Sequence, residues 1–221
     1  MPRKSARSKL VDVHPPHGPI HTVKDFLLHL LTITIGLLIA LGLEGTVEWV
    51  HHRHLAKEAR ADIQQEIRDN QQHVVEYIAE LSGELKVLKL ERDRVDDLLH
   101  GRPVKPVGDL NFHDLILQES AWNVALSSGV VTFMGHDEVK RYEKAYTVQR
   151  EIRSFMMTHI DDRLAVWLFL QRVDSGEKLS SAELESGKRI LERIILLDQS
   201  YTASGHYLSE NVYPPALAQT K

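Results

Sequence analysis

The chain has 221 residues, no cysteine, and 31 Asp/Glu against 27 Lys/Arg, for a formal net charge of −4. The lack of thiols excludes disulfides, thiolate zinc sites and cysteine nucleophiles together. The acidic balance argues against nucleic acid as a partner, because that binding rests on clustered Lys/Arg neutralising phosphates. The charge is unevenly spread: residues 1–25 hold five Lys/Arg and two Asp, a net of +3, so the remainder carries −7.

In residues 1–23 the basic residues are followed by HPPHGPIH, whose Pro15, Pro16, Gly18 and Pro19 suit neither helix nor strand. A disordered tail is expected, and His14, His17 and His21 have no rigid frame on which to build a metal site. Residues 26–43, FLLHLLTITIGLLIALGL, then run for eighteen positions without a formal charge. At about 1.5 Å of helix rise each, they cover roughly 27 Å, the thickness of a bilayer's hydrocarbon core. A transmembrane helix is expected over residues 24–49, bounded by Lys24 and Asp25 before it and by Glu44, Glu48 and Trp49 after it. The run is longer than the core of a cleaved signal peptide. It is also too uniformly apolar for a soluble core helix, with only His29, Thr32 and Thr34 as polar positions. Five Lys/Arg precede the span against Arg53, Lys57, Arg60 and Arg68 after it, which places the N-terminus in the cytoplasm and the larger domain across the membrane. Thr32, Gly36 and Ala40 lie four apart, with Glu44 continuing the row, a ridge of small residues along which a second helix could approach closely.

Residues 46–100 contain no proline and one glycine, Gly83, and read as one long helix continuing from the span. Val74, Ile78, Leu81, Leu85, Leu88, Val95 and Leu99 fall at heptad-like steps interrupted by Arg92. A coiled coil between protomers and an intramolecular bundle both fit this pattern. The second is favoured because fewer than four heptads are sustained and more helices follow. RPVKPVG at 102–108 breaks the helix, and a second is expected over 112–128, closed by Gly129. A third is expected over 137–173, with Val139, Tyr142, Tyr146, Ile152, Met156, Ile160, Leu164 and Trp167 at core spacing. Ser180 with Glu183 forms a capping-box signature for a fourth helix, striped by Leu184, Leu191, Ile194, Ile195, Tyr201 and Leu208 and stopped by Pro214 and Pro215. The expected fold is all-α: one N-terminal transmembrane helix continuing into an antiparallel four-helix bundle over 50–213, with a tail at 214–221.

Chemistry is harder to find. Glu48 and His51 make a Glu-x-x-His pair, but a di-iron bundle needs a second pair and further carboxylates. The only echo, Asp97 with His100, is roughly 70 Å along a straight helix. No metal or cofactor is therefore expected. His52 and His54 complete an HHRH cluster suited to a membrane interface or to pH response. Asp161 and Asp162 beside His159 point apart on a helix and read as solvated charge. Ser127 and Ser128 belong to no nucleophile elbow, and no phosphate loop or dinucleotide glycine pattern appears, so no catalytic residue is nominated. Trp122, Tyr142, Tyr146, Trp167 and Tyr201 fall on apolar stripes and read as core.

Residues 35–71 and 120–146 together resemble a family of bacterial single-span membrane proteins of unknown function. The pattern is a glycine and alanine in the span, a tryptophan just past it, an acid and an asparagine in the first soluble turns, then a tryptophan, a glycine and a tyrosine. Gly36, Ala40, Trp49, Glu66, Asn70, Trp122, Gly129 and Tyr146 are the matching positions. The resemblance implies a bacterial inner-membrane location, with the C-terminal domain periplasmic, and no particular activity. The expected function is that of a membrane-anchored interaction or scaffold protein whose partners are membrane lipid and a protein, either another chain or a second copy. A ligand-binding sensor that signals through a partner is the alternative, and an enzyme is not expected.

Overall fold

The computed structural model describes residues 22–218, so the tail expected at the N-terminus, with His14, His17 and His21, lies almost wholly outside the described residues. The described chain is all-α and contains no strand. It divides into two units, Met1–His51 and His52–Lys221.

The described part of the first unit is the beginning of helix α1 (Val23–Leu99). Thr22 opens it, its hydroxyl accepting from the Asp25 amide at 3.3 Å. Every described residue up to His51 is exposed, including the whole apolar run. The hydroxyls in that run donate to carbonyls one turn back, Thr32 to Leu28 at 2.9 Å and Thr34 to Leu30 at 2.8 Å. Neither is left without a partner, as an apolar surrounding requires. The segment is helical, apolar and long enough to cross a membrane.

In the second unit α1 supplies the central seam. Its buried positions are Ala56, Ile63, Ile67, Asn70, Val74, Tyr77, Leu81, Glu84, Leu88, Glu91 and Val95, flanked by Glu66. The steps alternate between four and three after the first, the heptad pattern of a helix gripped along one stripe. The sequence pattern places Ile78 and Leu85 on this seam, but Tyr77 and Glu84 occupy it and the two aliphatic residues flank it, partly buried. Glu91, not Arg92, fills the position where the apolar pattern breaks. The chain's own elements cover the seam.

Gly101, with φ +66°, closes α1, and the Arg102 amide reaches back to the Asp97 carbonyl at 2.8 Å. The helix expected from residue 112 begins only at Ser120: α2 is Ser120–Ser127. Residues 102–119 are non-helical, with Leu110, Phe112, Leu115 and Leu117 packed into the core. Gly129, at φ +73°, turns into a 3-10 segment, Val130–Phe133. The single helix expected over 137–173 is two, α3 (His136–Met157) and α4 (Ile160–Asp174). At the break, the Thr158 hydroxyl and the His159 ring both engage the Phe155 carbonyl, at 2.7 and 2.8 Å, competing with helical pairing. The capping box forms as the sequence predicts: Ser180 and Glu183 bond reciprocally and open α5 (Ser181–Tyr207). Pro214 and Pro215 do not end the structure, because a π-helical turn, Leu208–Val212, leads into α6 (Tyr213–Leu217), whose first turn tolerates residues without an amide N–H.

Helices α4 and α5 pack closely at Gly187, where a Cβ would fall 2.0 Å from the Phe169 ring. Gly187→Ala is therefore expected to cost about 1–3 kcal/mol, the usual price of overpacking. Urea denaturation should show this loss, and most of it should disappear in the background of Phe169→Leu, which vacates the space.

Candidate functional site

Two buried polar networks hang on the α1 seam, and they differ in how completely they are satisfied. In the first, the Glu66 carboxylate accepts from Tyr146 Oη at 2.7 Å, Ser120 Oγ at 2.8 Å and the Ala121 amide at 2.9 Å. Glu119, the capping residue of α2, makes no side-chain cap, so a carboxylate from α1 does that work instead. One turn on, Asn70 pairs with the main chain of Gln118 in both directions, at 2.7 and 2.8 Å. Gln149 donates to the same carbonyl at 2.8 Å, and its own oxygen takes Asn70 at 3.1 Å and Tyr213 Oη at 3.0 Å. Trp122 stacks on Tyr146 with ring centres 5.6 Å apart. Burial, together with the Glu66 carboxylate it faces, raises the Tyr146 pKa, keeping the phenol protonated as a donor. Glu66, Asn70, Trp122 and Tyr146 thus meet here, joined through Gln118 and Gln149. The carboxylate and both amide side chains have every oxygen and nitrogen bonded, which marks a structural network.

The second network is left incomplete. Tyr77 and Glu84 come from α1, His113 from the non-helical segment, Arg163 from α4, and Asp198 and Tyr201 from α5. Arg163 Nη1 donates to the His113 carbonyl at 2.7 Å, while Nη2 lies 3.3 Å from Asp198 and 3.5 Å from Glu84. The guanidinium carbon stands 5.1 Å from the Phe112 ring centre and 5.9 Å from that of Tyr201. Both carboxylate side chains are fully buried, so two acids share one guanidinium. Among the described residues, Tyr77 Oη and Tyr201 Oη have no hydrogen-bond partner, while the Glu84 carboxyl accepts from the His113 amide at 3.3 Å and faces that of Asp198. Burial and the neighbouring Asp198 push the Glu84 carboxyl up to about 8, and burial also raises Asp198. Desolvation works against the Arg163 charge, but Glu84, Tyr77 and Asp198 outweigh it and hold the guanidinium firmly protonated. The physics is that of like charges confined in a poorly solvated space: they retain a proton between them.

A cavity of about 480 Å³ adjoins this network, with Arg163 and Tyr201 in its wall. A second, more apolar groove of about 600 Å³ is lined by Leu55, Ala59, Val124, Val130 and Phe133. The helix-association row of Thr32, Gly36, Ala40 and Glu44 is exposed throughout, and a Cβ added at Gly36 would meet nothing within 4 Å. Among the described residues, nothing covers that row. Four of the five aromatic positions expected in the core are buried, but Trp167 is 47 % exposed, because the break at Thr158 and His159 resets the phase of α4 and turns Val166, Phe169 and Leu170 inward. Sequence reasoning missed the second network. The available signal was the strict spacing from Val74 through Glu84 to Val95, which puts an acid at a core position. Arg163 and Asp198 have no comparable local signature. No family model, curated protein or solved structure matches the chain.

The shared proton has a consequence for stability. The folded chain keeps Glu84 protonated up to about pH 8, whereas an unfolded Glu ionises at its ordinary value of 4.5. Between those values folding takes up a proton, so the contribution of this group falls as pH rises and levels off above the upper one. Glu84→Gln needs no proton and should gain on the parent across that window, by about 1–3 kcal/mol, the scale of one uncompensated buried polar group. Urea titrations at pH 5 and pH 9 measure it, and equal differences at both would mean that Glu84 is ionised throughout.

Proposed function

We propose that this chain is a membrane-anchored helical interaction protein. Its apolar segment spans a bacterial inner membrane, its N-terminus lies in the cytoplasm, and its helical bundle stands in the periplasm and assembles with a second copy. The observation that carries the reading is the outer face of α4. Ile160, Leu164, Trp167 and Leu168 fall on one helical stripe and are 47–53 % exposed, opposite the buried Val166, Phe169, Leu170 and Val173. An exposed stripe of this size on a packed helix is an association surface more often than a neutral one. The small-residue row on α1, which no described residue covers, is a second face on which another copy could pack closely. Anchoring adds to this by confining copies to a plane. The chain is read as a binding protein, not a catalyst, with lipid around its span and no nucleic acid among its partners.

A second reading, a ligand-binding bundle that signals through a partner protein, is favoured by one observation. The incompletely satisfied network around Arg163 borders a cavity of ligand size, about 480 Å³.

Crosslinking and light scattering of the full chain in detergent test the first reading. Trp167→Glu should weaken self-association about tenfold, as loss of a central aromatic anchor does, with helix content unchanged. Gly36→Ile should weaken it separately, by holding the spans apart. Association equal to the parent in both variants would remove the second copy as the occupant of either face.

A further inference from the structure

We infer that the cavity walled by Arg163 and Tyr201 binds a small dissolved monoanion with an apolar body, a carboxylate carried on an aliphatic or aromatic frame. The inference rests on the ligand-binding reading and names its ligand.

The walls are chiefly apolar, with Leu115, Leu117, Met156 and Ile160 among them, and a body without hydrogen-bonding groups would fill them. The polar groups among them are mostly donors. Arg153 and Arg163 bring guanidinium groups, and Tyr201 brings a hydroxyl. Each guanidinium has five N–H donors. Arg153 hydrogen-bonds to Glu119 at 3.1 Å and to the Leu117 carbonyl, and Arg163 to the His113 carbonyl and Asp198, so both have donors to spare. Tyr201 is 2 % exposed and its hydroxyl, closed off from solvent, has no partner among the described residues, an unmet donor in a residue of the cavity wall. The one acid in the wall, Asp114, lies 3.7 Å from Arg163, but its side chain is 85 % exposed and well hydrated.

Charge narrows the class further. An amine head would lie against two guanidinium groups, and a neutral amide would accept from them without a charge of its own to pair. A dianion is disfavoured from the other side, because Asp198, 3.3 Å from Arg163, and Glu119, 3.1 Å from Arg153, already offset much of the guanidinium charge. One negative charge is what the site has room for.

The test uses the full chain in lipid nanodiscs, with empty discs as the blank, titrated calorimetrically with 4-phenylbutyrate, 4-phenylbutanamide and 4-phenylbutylamine. Saturable binding of the carboxylate is expected, with the amide and the amine weaker by about tenfold or more, as loss of a charge-assisted pair implies. Tyr201→Phe removes only the unpartnered hydroxyl. It should weaken carboxylate binding about fivefold while leaving the thermal midpoint unchanged or raised. Met156→Trp, which fills the cavity, should abolish binding with helix content retained. Tighter binding of the amine or the amide, still lost in Met156→Trp, would overturn the ligand class and leave the ligand-binding reading standing. Absence of saturable heat from all three probes would overturn both.

Discussion

One buried carboxylate fixes where half of this domain begins. Glu66 has no covalent relation to α2, yet it accepts the Ala121 amide and the Ser120 hydroxyl at the start of that helix and the Tyr146 phenol from α3. Bringing an ion out of water is costly unless its lone pairs are met. The carboxylate is therefore buried only when two separate elements, α2 and α3, converge on it, and α2, only eight residues long, is too short to be stable in water by itself. With Asn70 clamping Gln118 one turn further on, α1 dictates both where the non-helical segment runs and where it turns helical.

The same seam then carries a less settled arrangement. Between Val74 and Val95 the buried positions alternate apolar and polar in character, with Tyr77, Glu84 and Glu91 interleaved among Val74, Leu81, Leu88 and Val95. Near Glu66 the surroundings supply a partner for each lone pair. Around Glu84 they supply one guanidinium and the His113 amide for two acids and leave two phenols unanswered. A protein selected for stability alone would replace such a group with aliphatic side chains at little cost. Its place beside a cavity is what the proposed ligand-binding reading draws on.

What the sequence made legible followed from strong local physics. The charge-free run of residues 26–43, the absence of proline from residue 46 to 100 and the Ser180–Glu183 box each act through the backbone nearby, and each appears in the structure. Where tertiary contacts override local preference, the reading missed. Residues 112–119 have helical spacing but are non-helical, with Gln118 held by Asn70, some 48 positions distant. The seam was displaced by one residue at Tyr77 and at Glu84 because an apolar pattern passes over buried acids in favour of the aliphatic neighbours Ile78 and Leu85. The α3–α4 break was hidden because apolar residues continue at helical spacing across Thr158 and His159. Trp167 accordingly faces outward, where its spacing alone had placed it in the core.

The π-helical turn at Leu208–Val212 has an implication for how this domain tolerates change in length. A π turn accommodates one residue more than an α turn, and each residue in an α-helix rotates the next by about 100°. The extra residue is what brings Tyr213 round to donate its hydroxyl to Gln149 at 3.0 Å and seats Val212 and Ala216 in the core. A one-residue deletion there would give a more regular helix and a worse protein, since α6 would present a different side to α3. The C-terminal segment is thus tuned by an irregularity that homology searching by spacing or by idealised design would both tend to correct.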